Sequence, residues 1–175
     1  KTALIYSDNI YFAKAALKIG ERDMESSLTK LGFNEELPFD IKVAKSQFSN
    51  TDKIEKEIQL ADSGYGQGQI RANPLHMACI YSAFGKEGNM VKPYIEYNDG
   101  KTTILKENVF KADAANTVKN DLIQVVENPE GTANDMKVNG LAIAGKTGTA
   151  ELKNSMDDNE SGTLGWFDCF TVNNS

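Results

Sequence analysis

The chain has 175 residues, with 25 acidic and 19 basic side chains and a net charge of -6. This length fits one domain with a proper core, and the ordinary apolar and charged fractions exclude a disordered chain. The acidic balance, without a block of Lys or Arg, argues against nucleic acid as a partner, and no apolar run is long enough to cross a bilayer or to form a signal peptide.

The first part of the chain is predicted to be helical. A Ser-Asp-Asn triplet at residues 7–9 precedes apolar residues at helical spacing, which predict a helix over 10–19 that stops at Gly20. Helix capping alone would explain the triplet without any chemistry. A second helix is predicted over 22–31, and Gly32 closes it.

The second predicted helix contains a match to a catalytic motif. Ser27 and Lys30 fit the Ser-x-x-Lys pattern of an acylating serine and its neighbouring base. Residues three apart on a helix do face each other, but such pairs are frequent by chance. Because this pair follows the Ser-Asp-Asn triplet instead of preceding it, we interpret the match as a coincidence.

Loops dominate the next part of the chain. Residues 33–53 lack a sustained period and are predicted to form a surface connection. Apolar residues recur at regular spacing over 54–61. They are followed by Tyr-Gly-Gln-Gly at 65–68, which predicts a tight glycine-rich loop. The Gly-Lys-Ser/Thr sequence of a phosphate-binding loop does not follow this loop, so phosphate binding is not supported. Asn73 then caps a predicted helix that opens with Pro74.

The second half of the chain is predicted to contain the sheet. Strands at 93–97 and 102–105 surround an Asn-Asp-Gly turn and predict a hairpin, and a helix is predicted over 112–127. Strands over 142–151 and 164–170 then follow, with a polar acidic loop between them. Because helices come first and strands cluster late, we predict an α/β or α+β fold with helices packed on a sheet, and not a doubly wound parallel fold.

The two cysteines and the single histidine do not define a site. Cys79 and Cys169 lie far apart among apolar neighbours, so we predict buried free thiols and not a disulfide. One histidine and scattered thiols offer too few ligands for a metal site. His76 is predicted to be a helix-surface or packing residue, with general-base catalysis as the less favoured alternative.

The strand predicted over 142–151 has the composition of a functional strand. Two glycines leave its backbone uncovered, as where a ligand approaches closely. Lys146, Thr147 and Thr149 add a cation and two hydroxyls, which suit an anionic guest. An edge strand weakened by glycine and carrying solvated polar residues is the alternative.

Five motifs follow one another along the chain. They are Ser-Asp-Asn at 7–9, Tyr-Gly-Gln-Gly at 65–68, Gly-Thr-Ala at 131–133, Lys-Thr-Gly-Thr-Ala-Glu at 146–151 and Gly-Trp-Phe at 165–167. In this order they resemble the transpeptidase domain of class B penicillin-binding proteins, and the chain looks like the low-affinity, resistance-associated members of Gram-positive bacteria. The resemblance implies that residues 1–175 are part of a single transpeptidase domain. That domain is an antiparallel sheet with helices packed on it, here truncated at both ends.

The resemblance implies catalytic roles for Ser7, Asn9 and Lys146. Ser7 would relay protons between the neighbourhood of the nucleophile and the leaving amine, and Asn9 would hold the amide side chain of the substrate. Lys146 would support proton transfer and attract the substrate carboxylate.

Substrate-binding roles are implied for Thr147, Gly148 and Thr149. The two threonine hydroxyls would bind the substrate carboxylate, and the Thr149 backbone N–H would supply one of two oxyanion-hole hydrogen bonds. Gly148 would keep the strand face open, so that the substrate lies along it in β-like pairing.

The implied activity is that of an enzyme, a D-alanyl-D-alanine transpeptidase that cross-links peptidoglycan through a serine acyl-enzyme and binds β-lactams. No cofactor is implied. Its partners would be peptidoglycan stem peptides, β-lactam antibiotics and the remainder of the same domain, at the extracytoplasmic face of the bacterial membrane with the anchor outside this chain. A β-lactamase or β-lactam sensor of the same fold is one alternative, and a non-catalytic cell-wall-binding module is another.

The nucleophile of the family is expected outside this chain. In the family, Ser-x-x-Lys lies on a separate helix that precedes Ser-Asp-Asn, whereas only six residues precede Ser7 here. The 175-residue chain by itself is therefore expected to be inactive. Unpaired strand edges and exposed apolar surface also predict that it is poorly stable alone.

Overall fold

The computed structural model describes residues 1–96, 100–151 and 162–172. Its helices are α1 (Thr2–Ile5), α2 (Asn9–Ile19), α3 (Glu21–Leu31), α4 (Glu57–Ser63), α5 (Pro74–Gly85) and α6 (Ala112–Glu127). Its strands are β1 (Met90–Val91), β2 (Ile104–Lys106), β3 (Ile143–Glu151) and β4 (Thr163–Thr171). The predicted α+β class, with antiparallel strands and packed helices, is confirmed.

The helix boundaries follow the capping residues in the sequence. Asp8 caps α2, and its Oδ1 accepts the Tyr11 N–H at 3.0 Å. Gly32 ends α3 in the left-handed conformation that glycine adopts without steric cost. Asn73 caps α5, with Pro74 at its first position. All four predicted helices are therefore present. Three of them start and end within one residue of the predicted bounds, 10–19, 22–31 and 112–127, and the fourth begins at Pro74 as predicted.

In the part of the chain that the structure describes, the strands form two separate antiparallel pairs. Strand β3 pairs with β4 along its whole length, from Ile143 opposite Thr171 to Glu151 opposite Thr163. The predicted hairpin is wrong in its first strand, since β1 ends at Val91 and pairs with β2. Pro93 has no backbone N–H to donate to a ladder, which explains why the pairing stops before it. Residues 97–99, which include Asn98 and Asp99 of the predicted Asn-Asp-Gly turn, lie outside the described residues, and so do residues 152–161, which include most of the predicted acidic loop.

Two apolar clusters hold the helices and strands in place. The larger joins α2, α4 and α5 to the loops between them and includes Phe33, Leu60 and Ile80. The smaller contains Val125 and Val126 of α6 together with residues of β3 and the loop that precedes it. Because α6 packs its fully buried valines on β3, the position of this strand is set by the interior of the protein.

The two cysteines differ in their surroundings. Cys79 is buried in α5, as predicted, and burial raises its pKa to about 11, so that it remains a protonated, unreactive thiol near neutral pH. Cys169 is exposed, so the prediction of a second buried thiol is wrong. The apolar residues next to Cys169 in the sequence do not indicate whether its own side chain is buried, because successive side chains of a strand point to opposite faces.

His76 is a buried structural residue. Its Nε2 lies 2.9 Å from the Leu31 carbonyl oxygen and its Nδ1 lies 2.8 Å from the Ser46 hydroxyl oxygen. A carbonyl can only accept, so Nε2 carries the proton and Nδ1 accepts the Ser46 hydroxyl hydrogen. These bonds tie α5 to the end of α3. The structure therefore supports the packing interpretation of this histidine and offers no support for a helix-surface position.

We predict that His76 titrates below the ordinary histidine value. Burial, aided by the charge of Lys106, lowers the pKa of His76 from 6.5, although its bond to Leu31 opposes this. The unfolded chain therefore binds more protons than the folded chain as the pH falls through about 6.5, and folded stability is lost in that direction. An NMR pH titration of the imidazole, assigned by its loss in His76→Gln, checks this, and an apparent pKa at or above 6.5 would contradict it.

Candidate active site

Two motif residues that are distant in sequence meet in the structure. The Lys146 ammonium donates a hydrogen bond to the Ser7 hydroxyl oxygen at 2.8 Å, although the residues are 139 positions apart. A second bond of 2.8 Å runs from Lys146 Nζ to the Thr147 carbonyl oxygen. The lysine is thus held in one orientation, with its amine at the serine hydroxyl.

Ser7 is placed by the junction of two helices. It lies between α1 and α2 with a φ of 52°, in the left-handed region that residues other than glycine seldom adopt. The backbone keeps this conformation because the Ser7 N–H donates to the Leu4 carbonyl at 3.2 Å and the Asp8 N–H donates to the Ala3 carbonyl at 2.9 Å. Uncommon backbone conformations of this kind cluster at functional sites.

The Lys146 ammonium gives up its proton at a smaller cost than an exposed lysine does. Its side chain is half-buried, and this desolvation lowers the pKa of Lys146 below its ordinary value. Asp168 lies opposite it on β4, and burial raises the pKa of this carboxyl group. An amine with a lowered pKa that is hydrogen-bonded to a hydroxyl can exchange a proton with it at a smaller cost than an exposed lysine.

The outer edge of β3 is free of strand pairing within the part of the chain that the structure describes. The Val172 N–H donates to the Ala142 carbonyl at 2.8 Å, so the Ala142 carbonyl points toward the C-terminal end of β4. Carbonyls alternate in direction along a strand, and those of Thr147 and Thr149 therefore point away from β4. The N–H groups of these two threonines point to the same outer edge.

Thr132 also contacts the site residues, although no role was predicted for it. The Thr147 hydroxyl donates to Thr132 Oγ1 at 2.8 Å, and the Thr132 N–H donates to the Ile5 carbonyl at 3.2 Å. The Gly-Thr-Ala motif at 131–133 thus connects the end of α1 to the middle of β3. Its place among the five motifs was the only signal in the sequence, since a lone loop threonine has no distinguishing pattern.

Two of the remaining predicted residues, Gly148 and Thr149, line the cleft beside Lys146, whereas Asn9 is not one of its lining residues. Gly148 and Thr149 are exposed on β3, and the Thr149 carbonyl accepts the Gln67 Nε2 hydrogen at 3.0 Å. Asn9 is exposed in the first turn of α2, two residues beyond Ser7. Lys146, Thr147, Gly148 and Thr149 line a cavity of about 710 Å³, together with the 65–68 loop. Within the described ranges, no group of three or more His, Cys, Asp or Glu side chains is placed to hold a metal ion.

The Ser-x-x-Lys match at Ser27 and Lys30 has no comparable surroundings. Ser27 is exposed, and its hydroxyl donates to the Asp23 carbonyl of its own helix at 2.7 Å. Neither Ser27 nor Lys30 lines the cavity beside β3. The geometry agrees with the interpretation of this match as a coincidence.

Comparison with known proteins agrees with the fold and identifies the family. The family model described as penicillin binding protein transpeptidase domain matches residues 1–172. The chain therefore belongs to the penicillin-binding protein transpeptidase family.

Three relatives illustrate the similarity. Penicillin-binding protein 3 of Bacillus subtilis (strain 168) is 44% identical over 169 residues, which are 95% of this chain and 25% of that protein. A probable peptidoglycan D,D-transpeptidase of Pseudomonas aeruginosa is 28% identical over 147 residues, or 84% of this chain and 25% of that protein. A ceftriaxone acyl-enzyme complex of penicillin-binding protein A from M. tuberculosis superposes with a TM-score of 0.78 at 20% identity, covering 97% of this chain and 38% of that one.

The similarity has a defined extent. The chain spans about a quarter of the length of the curated relatives that it matches. No helix in the described segments is both long and apolar enough to cross a membrane.

Proposed function

We propose that residues 1–175 are part of a single transpeptidase domain of a peptidoglycan D,D-transpeptidase, an enzyme that works through a serine acyl-enzyme and binds β-lactams. The observation that carries the proposal is the 2.8 Å hydrogen bond from Lys146 Nζ to Ser7 Oγ. It joins the Ser-Asp-Asn and Lys-Thr-Gly motifs at the edge of one cleft. The names of the relatives, which include a D,D-transpeptidase and a β-lactam acyl-enzyme, support this activity.

In the proposed reaction, a nucleophilic serine of the same domain attacks the carbonyl carbon of the penultimate D-alanine. A bond forms between that carbon and the serine oxygen, and the bond to the terminal D-alanine nitrogen breaks. The leaving nitrogen needs a proton. Ser7 passes it on from the vicinity of the nucleophile, with Lys146 hydrogen-bonded to the Ser7 oxygen.

The edge of β3 binds the substrate in this scheme. The Thr149 hydroxyl donates to the terminal carboxylate, which the positive charge of Lys146 attracts. The Thr147 hydroxyl also donates to this carboxylate after it turns away from Thr132 Oγ1, its acceptor in the free protein. The Thr149 N–H points to the outer edge and donates to the oxyanion, a contact that is worth roughly 3 kcal/mol of barrier in other acyl-transfer enzymes. Asn9 holds the amide side chain of the substrate, and Gly148 leaves room for it along the strand.

The chemistry also defines the partners and the place of action that we propose. Peptidoglycan stem peptides are the substrates, β-lactams are the inhibitors, and the rest of the same domain supplies the nucleophile. Peptidoglycan is assembled outside the cytoplasm, so the site faces the extracytoplasmic side of the membrane.

Fluorescent penicillin tests the proposed function directly. The full-length product of the gene should form a covalent adduct that survives denaturing electrophoresis, and Ser7→Ala should slow its formation by about 100-fold, as expected when a proton-transfer group is lost. An unlabelled full-length protein would overturn the proposal. Rapid release of hydrolysed penicillin would instead identify a β-lactamase.

The 175-residue chain by itself should not be labelled. Ser27 is engaged with its own helix and lies outside the cleft, so it is not placed to act as nucleophile with Lys146. Incubation of the isolated chain with fluorescent penicillin, followed by intact mass measurement, checks this. Stoichiometric labelling that disappears in Ser27→Ala would show that Ser27 and Lys30 form the acylating pair.

A further inference from the structure

The outward carbonyls of two threonines on β3 are already occupied by side chains of the protein. Lys146 Nζ donates to the Thr147 carbonyl at 2.8 Å, and Gln67 Nε2 donates to the Thr149 carbonyl at 3.0 Å. An edge strand with free carbonyls is a template for pairing with another chain. The protein therefore covers the edge that a peptide ligand would use.

The covering residue Gln67 comes from a loop that is built to present it. Gly66 and Gly68 flank it with φ values of 80° and 74°, which bend the backbone sharply on both sides. The Gln67 N–H donates to the Asp62 carbonyl at 3.0 Å and fixes the loop to the end of α4. Its side chain then reaches across 82 positions of sequence to β3.

The next glutamine in the loop has a different role. The Gln69 side-chain oxygen accepts hydrogen bonds from the Asn50 N–H at 2.9 Å and from Gln59 Nε2 at 3.2 Å. Gln69 thus anchors the loop to the body of the protein. The half-exposed Gln67 amide is instead directed into the cleft, where it lines the same cavity as Thr149.

A ligand that lies along β3 needs the oxygen that Gln67 occupies. An added strand donates its backbone N–H groups to the outward carbonyls of an edge. The Thr149 carbonyl is such an acceptor, and the Gln67 amide is positioned within 3.0 Å of it on the cleft side. A carbonyl oxygen can accept two hydrogen bonds, but a ligand N–H that approaches the Thr149 oxygen from the cleft side meets the Gln67 amide and competes with it for that side of the oxygen. A ligand without an N–H there has no such competitor.

We propose that Gln67 is a specificity-determining residue whose amide competes with the N–H of an acyl-donor ligand for the Thr149 carbonyl. This rests on the proposed function of the cleft. In the free protein, the Gln67 amide covers the Thr149 carbonyl. Ligands that carry a matching N–H therefore bind more weakly than they would if this carbonyl were uncovered. Removal of the Gln67 donor should therefore favour N–H-bearing ligands selectively.

The test compares two β-lactams that differ in this donor. Benzylpenicillin carries an acylamino N–H beside its ring, and a carbapenem carries a hydroxyethyl group there. In the full-length protein, Gln67→Ala and Gln67→Met should each raise the second-order acylation rate by benzylpenicillin about threefold to tenfold, the range expected for one neutral hydrogen bond. The rate with the carbapenem should change less than about twofold by the same reasoning. Gln124→Ala, a glutamine of α6 that does not line the cavity, is the matched control.

Several outcomes would overturn the proposal. Equal gains with both ligands would point to general opening of the cleft, and losses with both would show that Gln67 only supports β3. A gain in Gln67→Ala without one in Gln67→Met would assign the effect to side-chain bulk.

A second readout does not depend on acylation. If neither β-lactam reacts with the wild-type protein, the proposed function fails. Hydrogen–deuterium exchange of the full-length protein then tests whether the Gln67 amide competes with a ligand N–H. Peptides that cover residues 64–69 should exchange faster in Gln67→Ala than in the wild type or in Gln124→Ala. Added acetyl-D-alanyl-D-alanine should speed their exchange in the wild type and in Gln124→Ala, where it displaces the Gln67 amide, and should not do so in Gln67→Ala. Identical exchange in all three proteins would refute the competition.

Discussion

Replacement of Lys146 by methionine should reduce the acylation of the full-length protein by fluorescent penicillin by about 100-fold to 10,000-fold, the range that a positioned proton-transfer group contributes. Methionine keeps most of the length and apolar stem of lysine but removes the charge and the hydrogen bond to Ser7. Removal of the ammonium loses two hydrogen bonds but also removes the cost of desolvating a half-buried charge. Because these two effects oppose each other, the melting temperature should be nearly unchanged. The loss should therefore appear in the rate and not in the stability.

Lys30→Met is the matched control for this prediction. Lys30 belongs to the exposed Ser-x-x-Lys match on α3, and it does not line the cleft. Its replacement should leave the acylation rate within about twofold, because exposed side chains outside a site have small effects. If the Lys146 variant kept the wild-type rate while the Lys30 variant lost it, the site would have to be moved from β3 to α3.

Replacement of Gly131 by alanine should destabilise the protein by about 1–3 kcal/mol, the usual cost of forcing extra atoms into a packed interior. A Cβ at this position would lie 2.1 Å from the Val125 carbonyl oxygen and 2.9 Å from its carbon. This backbone is not free to move, because Val125 is fully buried in α6 and its carbonyl accepts the Ala133 N–H at 3.3 Å. The loop must shift instead, and with it Thr132 and its bond to Thr147.

Gly165→Ala is the control for the glycine prediction. No heavy atom lies within 4 Å of a Cβ built at Gly165, so this change should alter the free energy of unfolding by less than about 0.5 kcal/mol. Urea unfolding of both variants measures the difference, and acylation rates of the folded proteins measure the displacement of Thr132. Equal stability of the two variants would show that the backbone near Val125 yields to the added methyl group.

Local structure could be predicted well where short-range chemistry decides it. The caps Asp8 and Asn73 and the stop at Gly32 placed the starts and ends of helices, because each satisfies backbone groups within its own turn. A strand was predicted over 142–151 from its small and polar residues, and β3 starts one residue later, at Ile143. The motif order also led to the right family.

Other features could not be predicted because they depend on partners that are distant in sequence. The short helix α1 has only one turn, which is marginal without tertiary contacts, and it forms against α6. The exposure of Cys169 and the burial of His76 depend on which face of an element meets its neighbours. The contact of Gln67 with β3 depends on the path of a whole loop.

The amino-acid sequence by itself determined which kinds of groups this protein has for its chemistry, namely a serine, a lysine and two threonines in motifs at the start of α2 and along β3. Only the tertiary structure decided which of these groups meet. Ser7 and Lys146 are brought to 2.8 Å because α1 and β3 both pack on α6 and share the loop at 131–133. The physical reason is that a hydrogen bond needs its atoms within about 3 Å, and across so many positions only the packed core can set that distance.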